Sequence, residues 1–477
     1  MEIESGLRLW CASSSNGRNI MKVNAPMLEK IKKCKWLSIV AALVLAVGCL
    51  FLLVVSLSKA KLSDIFTTDR ISTLKNRPPE FTHDIVADLS LNRSKGGVAT
   101  LTENVLVGIV KKRPNWRIII ILSDNSDLNY FKLGRFKNVK LIVTKIRYGF
   151  IKNAIFSIVN LLTFNAFKFL LDQIVFFDEI IIDNECDLYW KNDSTSSVLE
   201  FPHHKVSTVH DLVYIEESPN QKSNSTKLLA KLIEKCVRND DKIITVSNFS
   251  KRRILEEFHI PEDRLKMILI RLAKRIHKPI PLKQQADIFD KYNVEKDKYL
   301  IFISAFWGNK NHVALIEAFA KFLKQTGSGL KLVLAGACPN GCGKFQNVAA
   351  LNKIEDKVVF TDYIPNEDLQ VLLSNARAFI CPSLYEGFGM PIAEALEAGI
   401  PLACSNRASL PEVAGDAAVF FDPLSQEEMV QAMIKITSDN QLREKLKRLG
   451  HKRAEKFNDV ELMINEYIET FEEVMGK

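Results

Sequence analysis

The 477-residue chain contains no Asp-x-Asp motif and no dense block of lysine and arginine interleaved with aromatic residues. Without an Asp-x-Asp motif there is no obvious carboxylate pair for a divalent metal. The missing basic block argues against nucleic acid as a partner, because such partners require clustered positive charge. The formal net charge of +9 is explained either by a solvated basic surface or by affinity for anions, such as nucleoside diphosphates or an acidic membrane.

The nine cysteines are odd in number and scattered, which excludes a readable disulfide framework. Cys338 and Cys342 are close in sequence, but no second Cys/His pair has the spacing to complete a four-ligand zinc site. We interpret both as loop residues and expect no bound metal.

Charged residues are missing from one long stretch, the 23 residues at 36–58, which are rich in Leu, Val and Ala. A helix of this length can cross a hydrocarbon core of about 30 Å. A cleaved signal peptide or a buried helix is the alternative. We predict a basic polar tail at 1–35, a single transmembrane helix at 36–58 and a stem at 59–83.

From about Ile85 onwards, short apolar runs alternate with longer amphipathic stretches. Continuous apolar strands between helices predict parallel sheets covered on both faces. The eleven runs are 118–122, 140–144, 179–183, 205–210, 242–247, 299–305, 331–336, 357–360, 378–383, 401–405 and 418–423.

Eleven strands are too many for one mononucleotide-binding unit, so we predict two tandem doubly wound α/β domains, Rossmann-like, at 84–275 and 285–477. The linker is expected within 272–298, which contains Pro279 and Pro281. The final helix is expected to pack back on the first domain. The stretch 147–171 sets three basic residues among Phe, Ile and Leu, and is either a core helix or an amphipathic helix lying on a membrane.

The segment 381–401, CPSLYEGFGMPIAEALEAGIP, has the composition of a strand-to-helix loop. Gly387 and Gly389 allow the backbone to approach a ligand closely. Pro391 suits a first helical turn, so free N–H groups are presented at a helix N-terminus, which favours an anion such as a nucleoside diphosphate. Glu386 precedes the turn, and Glu394 lies where a carboxylate can accept hydrogen bonds from ribose hydroxyls.

This segment resembles the signature of glycosyltransferase family 4, in which two glutamates are separated by seven residues. The segments NKN (309–311), SLPEVAGDAAVFFDP (409–423), TVHDL (208–212), ITVSNFSK (244–251) and SKGGVATLTENVL (94–106) also resemble that family, and more loosely in the first domain. The resemblance covers about residues 84–470. It implies the two-domain B-type glycosyltransferase fold, retention of anomeric configuration and a donor held mainly by the second domain.

The resemblance also implies roles for individual residues. Glu394 would bind the donor ribose, Glu386 would contact the transferred sugar, and Lys310 would bind the diphosphate. His210 would face the donor sugar from the first domain. The remaining donor-site positions are Asp211 beside His210, the backbone of Gly387, Phe388, Gly389 and Met390, and a loop formed by Gly96 and Gly97.

Many relatives carry an arginine five positions before the lysine of the phosphate motif, where this chain has Ala305. Some subgroups, including those resembling bacterial mannosyltransferases, also lack it. The preferred hypothesis is therefore mannosyl transfer from GDP-mannose to a glycan or lipid-linked acceptor, without a metal or other cofactor. The alternatives are glucosyl or N-acetylglucosaminyl transfer from a UDP-sugar, an epimerase or phosphorylase of the same fold, and an inactive membrane-tethered scaffold.

Positive charge near the predicted span favours a cytosolic N-terminus, because basic residues are retained on the cytoplasmic side. Five lysines precede the span and three basic residues follow it: Lys22, Lys30, Lys32, Lys33 and Lys35, against Lys59, Lys61 and Arg70. The side of the membrane that holds the catalytic domain stays open, since a Golgi-type and a bacterial arrangement differ. The sequons at Asn92, Asn192, Asn224 and Asn248 offer a probe of that side.

Overall fold

The computed structural model describes residues 77–89, 97–123, 132–144, 180–181, 186–193, 199–200, 204–216, 224–272, 280–338 and 341–476, all of them within one compact unit, Thr73–Lys477. The predicted tail, the predicted transmembrane helix, residues 59–76 of the predicted stem, Gly96 and the stretch 147–171 lie outside these residues. None of the described helices is long and apolar enough to span a bilayer.

The first half of the unit is built on a parallel sheet of seven strands in the order β3-β2-β1-β5-β7-β8-β9. Its strands are β1 (His83–Leu89), β2 (Trp116–Ser123), β3 (Val139–Thr144), β5 (Leu188–Lys191), β7 (His204–Thr208), β8 (Lys242–Thr245) and β9 (Leu265–Met267). A separate pair consists of β4 (Ile180–Ile181) and β6 (Leu199–Glu200).

The second half is built on a parallel sheet of six strands in the order β12-β11-β10-β13-β14-β15. Its strands are β10 (Tyr299–Ile303), β11 (Lys331–Ala335), β12 (Val358–Asp362), β13 (Ala378–Cys381), β14 (Leu402–Ser405) and β15 (Ala418–Phe421). The chain starts in the middle, winds to one edge, returns to the middle and winds to the other edge. This is the doubly wound order, and it places a crevice at the carboxyl ends of the two central strands, β10 and β13.

Helices cover both sheets. Those in the first half are α1 (Gly97–Lys112), α2 (Val213–Glu216), α3 (Asn224–Asn239) and α4 (Asn248–Phe258). Those that follow are α5 (Leu282–Lys291), α6 (His312–Thr326), α7 (Gly343–Leu351), α8 (Asn366–Ser374), α9 (Met390–Glu397), α10 (Leu410–Ala414), α11 (Gln426–Ser438), α12 (Asn440–Ala454) and α13 (Val460–Met475).

The last helix, α13, returns to the first sheet. Its Tyr467 and Phe471 rings lie 5.6 Å and 5.5 Å from the Trp190 ring of β5. Glu473 near its end forms an ion pair of 2.8 Å with Lys242 of β8. The chain terminus therefore binds the first half of the unit to the second through apolar and ionic contacts.

Two parallel α/β domains confirm that part of the predicted fold class, while the predicted transmembrane helix lies outside the described residues, and all eleven predicted apolar runs contain a strand. Three strands of the first sheet, β1, β5 and β9, were not among the predicted runs. In β5 the apolar pattern is broken by Lys191, which is buried in an ion pair of 3.2 Å with Asp240. A buried lysine is rare, so a strand that ends in one is hard to recognise from hydrophobicity alone.

Candidate donor-binding site

Lys310 and Glu386 meet at the crevice between the two central strands of the second sheet. Lys310 follows β10 at the end of a short 3-10 turn, and Glu386 follows β13. Lys310 Nζ lies 2.6 Å from Glu386 Oε1, and the two side chains are only 18% and 13% exposed. A partly buried ion pair at a topological switch point marks this crevice as the candidate ligand site.

The pair sets the protonation of its lysine. Burial acts to lower the pKa of Lys310, but the charge and the hydrogen bond of Glu386 outweigh it and raise the pKa above the ordinary value. Lys310 is therefore a fixed positive charge at neutral pH. It is a suitable partner for a phosphate oxygen that displaces the carboxylate.

The loop between Glu386 and α9 depends on its two glycines. Gly389 adopts φ +97°, a left-handed conformation that favours glycine, and a proline lies in the first turn of α9. A Cβ atom at Gly387 would overlap the carbonyl oxygen of His210, so only glycine allows the two halves to approach this closely. The loop is thus held at the interface of the two domains, with the N-terminus of α9 behind it.

Two buried serines hold this loop by its carbonyl groups. Ser247, at the N-terminus of α4 in the first half, donates to Gly387 O at 2.6 Å. Ser409, just before α10, donates to Glu386 O and Phe388 O, both at 2.9 Å. Both serines lie in motifs singled out in the sequence, but neither was predicted to have a role in the site.

His210 reaches the site from the end of β7. Its Nε2 lies 3.1 Å from the carbonyl oxygen of Asn192. Because a carbonyl only accepts, Nε2 is the donor in this hydrogen bond. The next residue, Asp211, accepts the N–H of Val213 at 3.0 Å, and desolvation raises the pKa of its carboxyl although His210 and Lys310 oppose this.

The remaining predicted positions lie around the same loop. Gly97, the first residue of α1, faces Met390 so closely that a Cβ atom there would lie 2.7 Å from the Met390 sulfur. Phe388 is buried and packs edge-on against Phe457, which leaves its backbone as the part that can contact a ligand. Glu394 is half-buried on α9. The described candidates thus lie on or next to the loop before α9, with Glu394 on the helix that follows it, and their roles remain predictions.

Tyr385 was not predicted but joins the two halves beside Glu386. Its hydroxyl donates to Glu216 at 3.2 Å, and its ring lies 5.6 Å from the Phe249 ring of α4. Asn309 donates to the carbonyl of Tyr385 at 3.1 Å, which connects the two loops of the second domain. Tyr385 lies in the segment 381–401, directly before Glu386, and this position was the signal from which a role in the site could have been predicted.

Cys338 and Cys342 lie at the end of β11, both half-buried. Burial and the neighbouring Cys338 raise the pKa of Cys342 to about 12, so its thiolate is scarce at neutral pH. In the part of the chain that the structure describes, no three His, Cys, Asp or Glu side chains are grouped as metal ligands.

Residues 284–453 match the family model described as "Glycosyl transferases group 1". O-antigen chain mannosyltransferase B of Escherichia coli is 29% identical over 254 residues, which are 53% of this chain and 66% of that protein. O-antigen chain mannosyltransferase RfbU of Salmonella typhimurium is 26% identical over 230 residues, 48% of this chain and 59% of that protein. In both cases the match spans less than two thirds of the relative's length.

Among solved structures, HepE of Anabaena in complex with UDP-glucose superposes with a TM-score of 0.60 at 16% identity, over 82% of this chain and 100% of HepE. Identity at this level shows the fold alone, and here it shows the two-domain B-type glycosyltransferase fold. The family match includes the whole second sheet and both loops that carry Lys310 and Glu386. Residues 284–453 therefore match a glycosyltransferase group 1 domain, and the comparisons as a whole support a glycosyltransferase enzyme.

Proposed function

We propose that this protein is a retaining hexosyltransferase of the family 4 type, which transfers mannose from GDP-mannose to a glycan or lipid-linked acceptor. The observation that carries the proposal is the partly buried Lys310–Glu386 pair beside the glycine loop at the switch point of the second sheet. Mannose is preferred because relatives matched at 29% and 26% identity are named mannosyltransferases. Transfer from a UDP-sugar is the second candidate, supported by a similar fold that holds UDP-glucose.

The donor would lie across the crevice, with its diphosphate against Lys310 and the N-terminus of α9. When the bond between the sugar and the diphosphate breaks, negative charge develops on the leaving phosphate. A fixed cation and free backbone N–H groups stabilise that charge without reorganising, and such preorganisation is a major source of rate enhancement. Glu386, released from Lys310, would turn toward the sugar, where positive charge develops.

The first half would complete the donor pocket. His210 donates from Nε2 to the carbonyl of Asn192, and its Nδ1 would face a hydroxyl of the sugar. Glu394 on α9 would accept hydrogen bonds from the ribose. The acceptor would enter between the halves, near Gly97 and Met390.

We also propose that the reaction needs no metal, because Lys310 supplies the counter-charge and the sequence has no Asp-x-Asp. The membrane anchor at 36–58, with the first 35 residues in the cytosol, belongs to the proposal as well. An anchor would keep the enzyme near a lipid-linked acceptor. Protease digestion of sealed vesicles would reveal on which side the catalytic domain lies.

Donor hydrolysis tests the proposed function. The full chain in detergent is incubated without acceptor with GDP-mannose, UDP-glucose or UDP-N-acetylglucosamine, and the released nucleoside diphosphate is measured. We expect slow release that is fastest with GDP-mannose. Fastest release from a UDP-sugar would select the second candidate, and binding without release from any donor would favour the inactive scaffold.

A further inference from the structure

Glu412 of the second half caps a helix of the first half. The residue lies in α10, and its two carboxylate oxygens accept three hydrogen bonds from the start of α4. Oε1 accepts from Asn248 N at 2.8 Å and from Asn248 Nδ2 at 2.9 Å, and Oε2 accepts from Phe249 N at 2.9 Å. Nothing in the donor chemistry requires this residue, so the contact calls for a separate explanation.

The start of a helix is a favourable place for a carboxylate. The first backbone N–H groups have no partner within the helix, and they give that end a partial positive charge. In α4 the side chain of Ser247 accepts the N–H of Ser250 at 3.1 Å. Glu412 accepts the N–H groups of the two residues that follow Ser247, so α4 is capped by one residue from each half of the molecule.

Glu412 is itself fixed within the second half. Arg453 of α12 donates to Val413 O at 2.9 Å and also to Glu412 O. The carboxylate therefore projects from a short helix whose backbone is held in place. A movement of α4 relative to α10 would break all three of its hydrogen bonds together.

The starts of α4 and α10 also hold the loop between Glu386 and α9. Ser247, the neighbour of Asn248, donates to Gly387 O, and Ser409, three residues before Glu412, donates to Glu386 O and Phe388 O. Contact between Glu412 and α4 thus brings both serines to the loop that carries Glu386. If the halves separate at this contact, the loop loses the Ser247 hydrogen bond.

We propose that Glu412 is a positioning residue, which couples closure of the two halves to the placement of the Glu386 loop. The inference rests on the proposed transfer reaction for its catalytic consequence. Glu412 does not touch the donor site. Its loss is expected to lower turnover while leaving the affinity of the second half for a nucleoside diphosphate unchanged.

The test compares Glu412→Gln with Glu428→Gln in the full chain. Glu428 is a matched control, because its carboxylate also accepts a backbone N–H, that of Asp422 at 2.8 Å, but within the second half. For each variant, kcat and KM of donor hydrolysis, the Kd of GDP and the radius of gyration by X-ray scattering are measured. We expect Glu412→Gln to lower kcat about tenfold and to increase the radius of gyration, with the Kd of GDP within about twofold of wild type.

Asn248→Asp provides a second variant that does not depend on Glu412. Aspartate is favourable at a helix N-terminus, so the first half should fold normally, while the new carboxylate repels Glu412. We expect lower kcat, and recovery when Glu412→Gln is added. Equal kcat and equal scattering in Glu412→Gln and Glu428→Gln would overturn the inference. A wild-type chain that hydrolyses no donor would refute the proposed function instead. The scattering comparison would still test whether Glu412 holds the two halves together.

Discussion

Lys310 Nζ lies 2.6 Å from Glu386 Oε1, so the lysine proposed to bind the diphosphate already holds a carboxylate. A donor must therefore replace one anion with another at the same cation. The exchange leaves no buried lysine without a counter-charge, which would be costly, and it frees Glu386 as the donor arrives. In the proposed reaction, binding of the diphosphate and release of the Glu386 side chain would be one event.

Replacing Lys310 tests the cation. Lys310→Met is expected to weaken the binding of GDP by about 1.5–3 kcal/mol, the range of hydrogen bonds to charged groups, and to lower turnover as well. Calorimetric titration measures the first effect and donor hydrolysis the second. Lys296→Met, an exposed lysine before β10, serves as the control. Unchanged binding and turnover in Lys310→Met would refute the placement of the diphosphate.

Glu394 is predicted to bind the ribose. The contact can be removed from either side, by substituting Glu394 or by using a nucleotide without ribose hydroxyls. Glu394→Gln should weaken the binding of GDP by about 1–3 kcal/mol, because a charge-assisted hydrogen bond is lost. The same substitution should cost much less with 2′,3′-dideoxy GDP, which lacks the hydroxyls. Equal losses with both nucleotides, measured by titration, would show that Glu394 acts elsewhere.

His312, just after Lys310, gives the second domain a specific pH dependence. The residue is 2% exposed and stacks on Phe306 at 4.0 Å. Burial, with help from Lys310, lowers the pKa of His312 from 6.5 to about 3. Between these values the unfolded chain binds a proton that the folded chain does not. This histidine therefore destabilises the protein as the pH falls below 6.5.

Chemical denaturation of wild type and of His312→Phe measures this dependence. Between pH 7 and pH 5, wild type should lose about 2 kcal/mol more than the variant. Parallel pH profiles for the two proteins would mean that His312 accepts a proton in the folded state.

Chelation tests how the diphosphate is neutralised. Donor hydrolysis is expected to continue in excess EDTA, because Lys310 and the N–H groups of α9 supply the counter-charge. Complete loss of activity, restored by magnesium or manganese, would be the opposite result. Activity that only a metal restores would mean that a divalent cation, and not Lys310, neutralises the charge on the leaving diphosphate.

The sequence was sufficient for the fold and for the central loop. Apolar runs revealed all six strands of the second sheet and four of the seven strands of the first, and Gly389 adopts a positive φ within the predicted loop. The hydrophobic pattern of a strand is a local property of the sequence, so it can be recognised without knowledge of the tertiary structure. Short strands such as β9, with three residues, are below the length at which a pattern can be recognised.

Apart from the packing of the final helix on the first domain, the contacts between the two halves could not be predicted residue by residue. Ser247 and Gly387 are 140 residues apart in sequence, and Asn248 and Glu412 are 164 apart. Within their own segments, Ser247 is a common N-cap residue and Glu412 is a common residue of a first helical turn. Only the packing of the two halves brings them to Gly387 and Asn248. The occupation of Lys310 by Glu386 was likewise not visible, since each residue was predicted to contact the donor separately.

The titration of GDP against wild type, Glu386→Gln and the exposed control Glu355→Gln tests the exchange at Lys310 most directly. Glu386→Gln removes the carboxylate that competes with the diphosphate, so GDP should bind several-fold more tightly than to wild type, while donor hydrolysis falls by about two orders of magnitude or more. Glu355→Gln should change neither. Weaker binding of GDP to Glu386→Gln than to wild type would contradict the proposal that the diphosphate takes the place of Glu386 on Lys310.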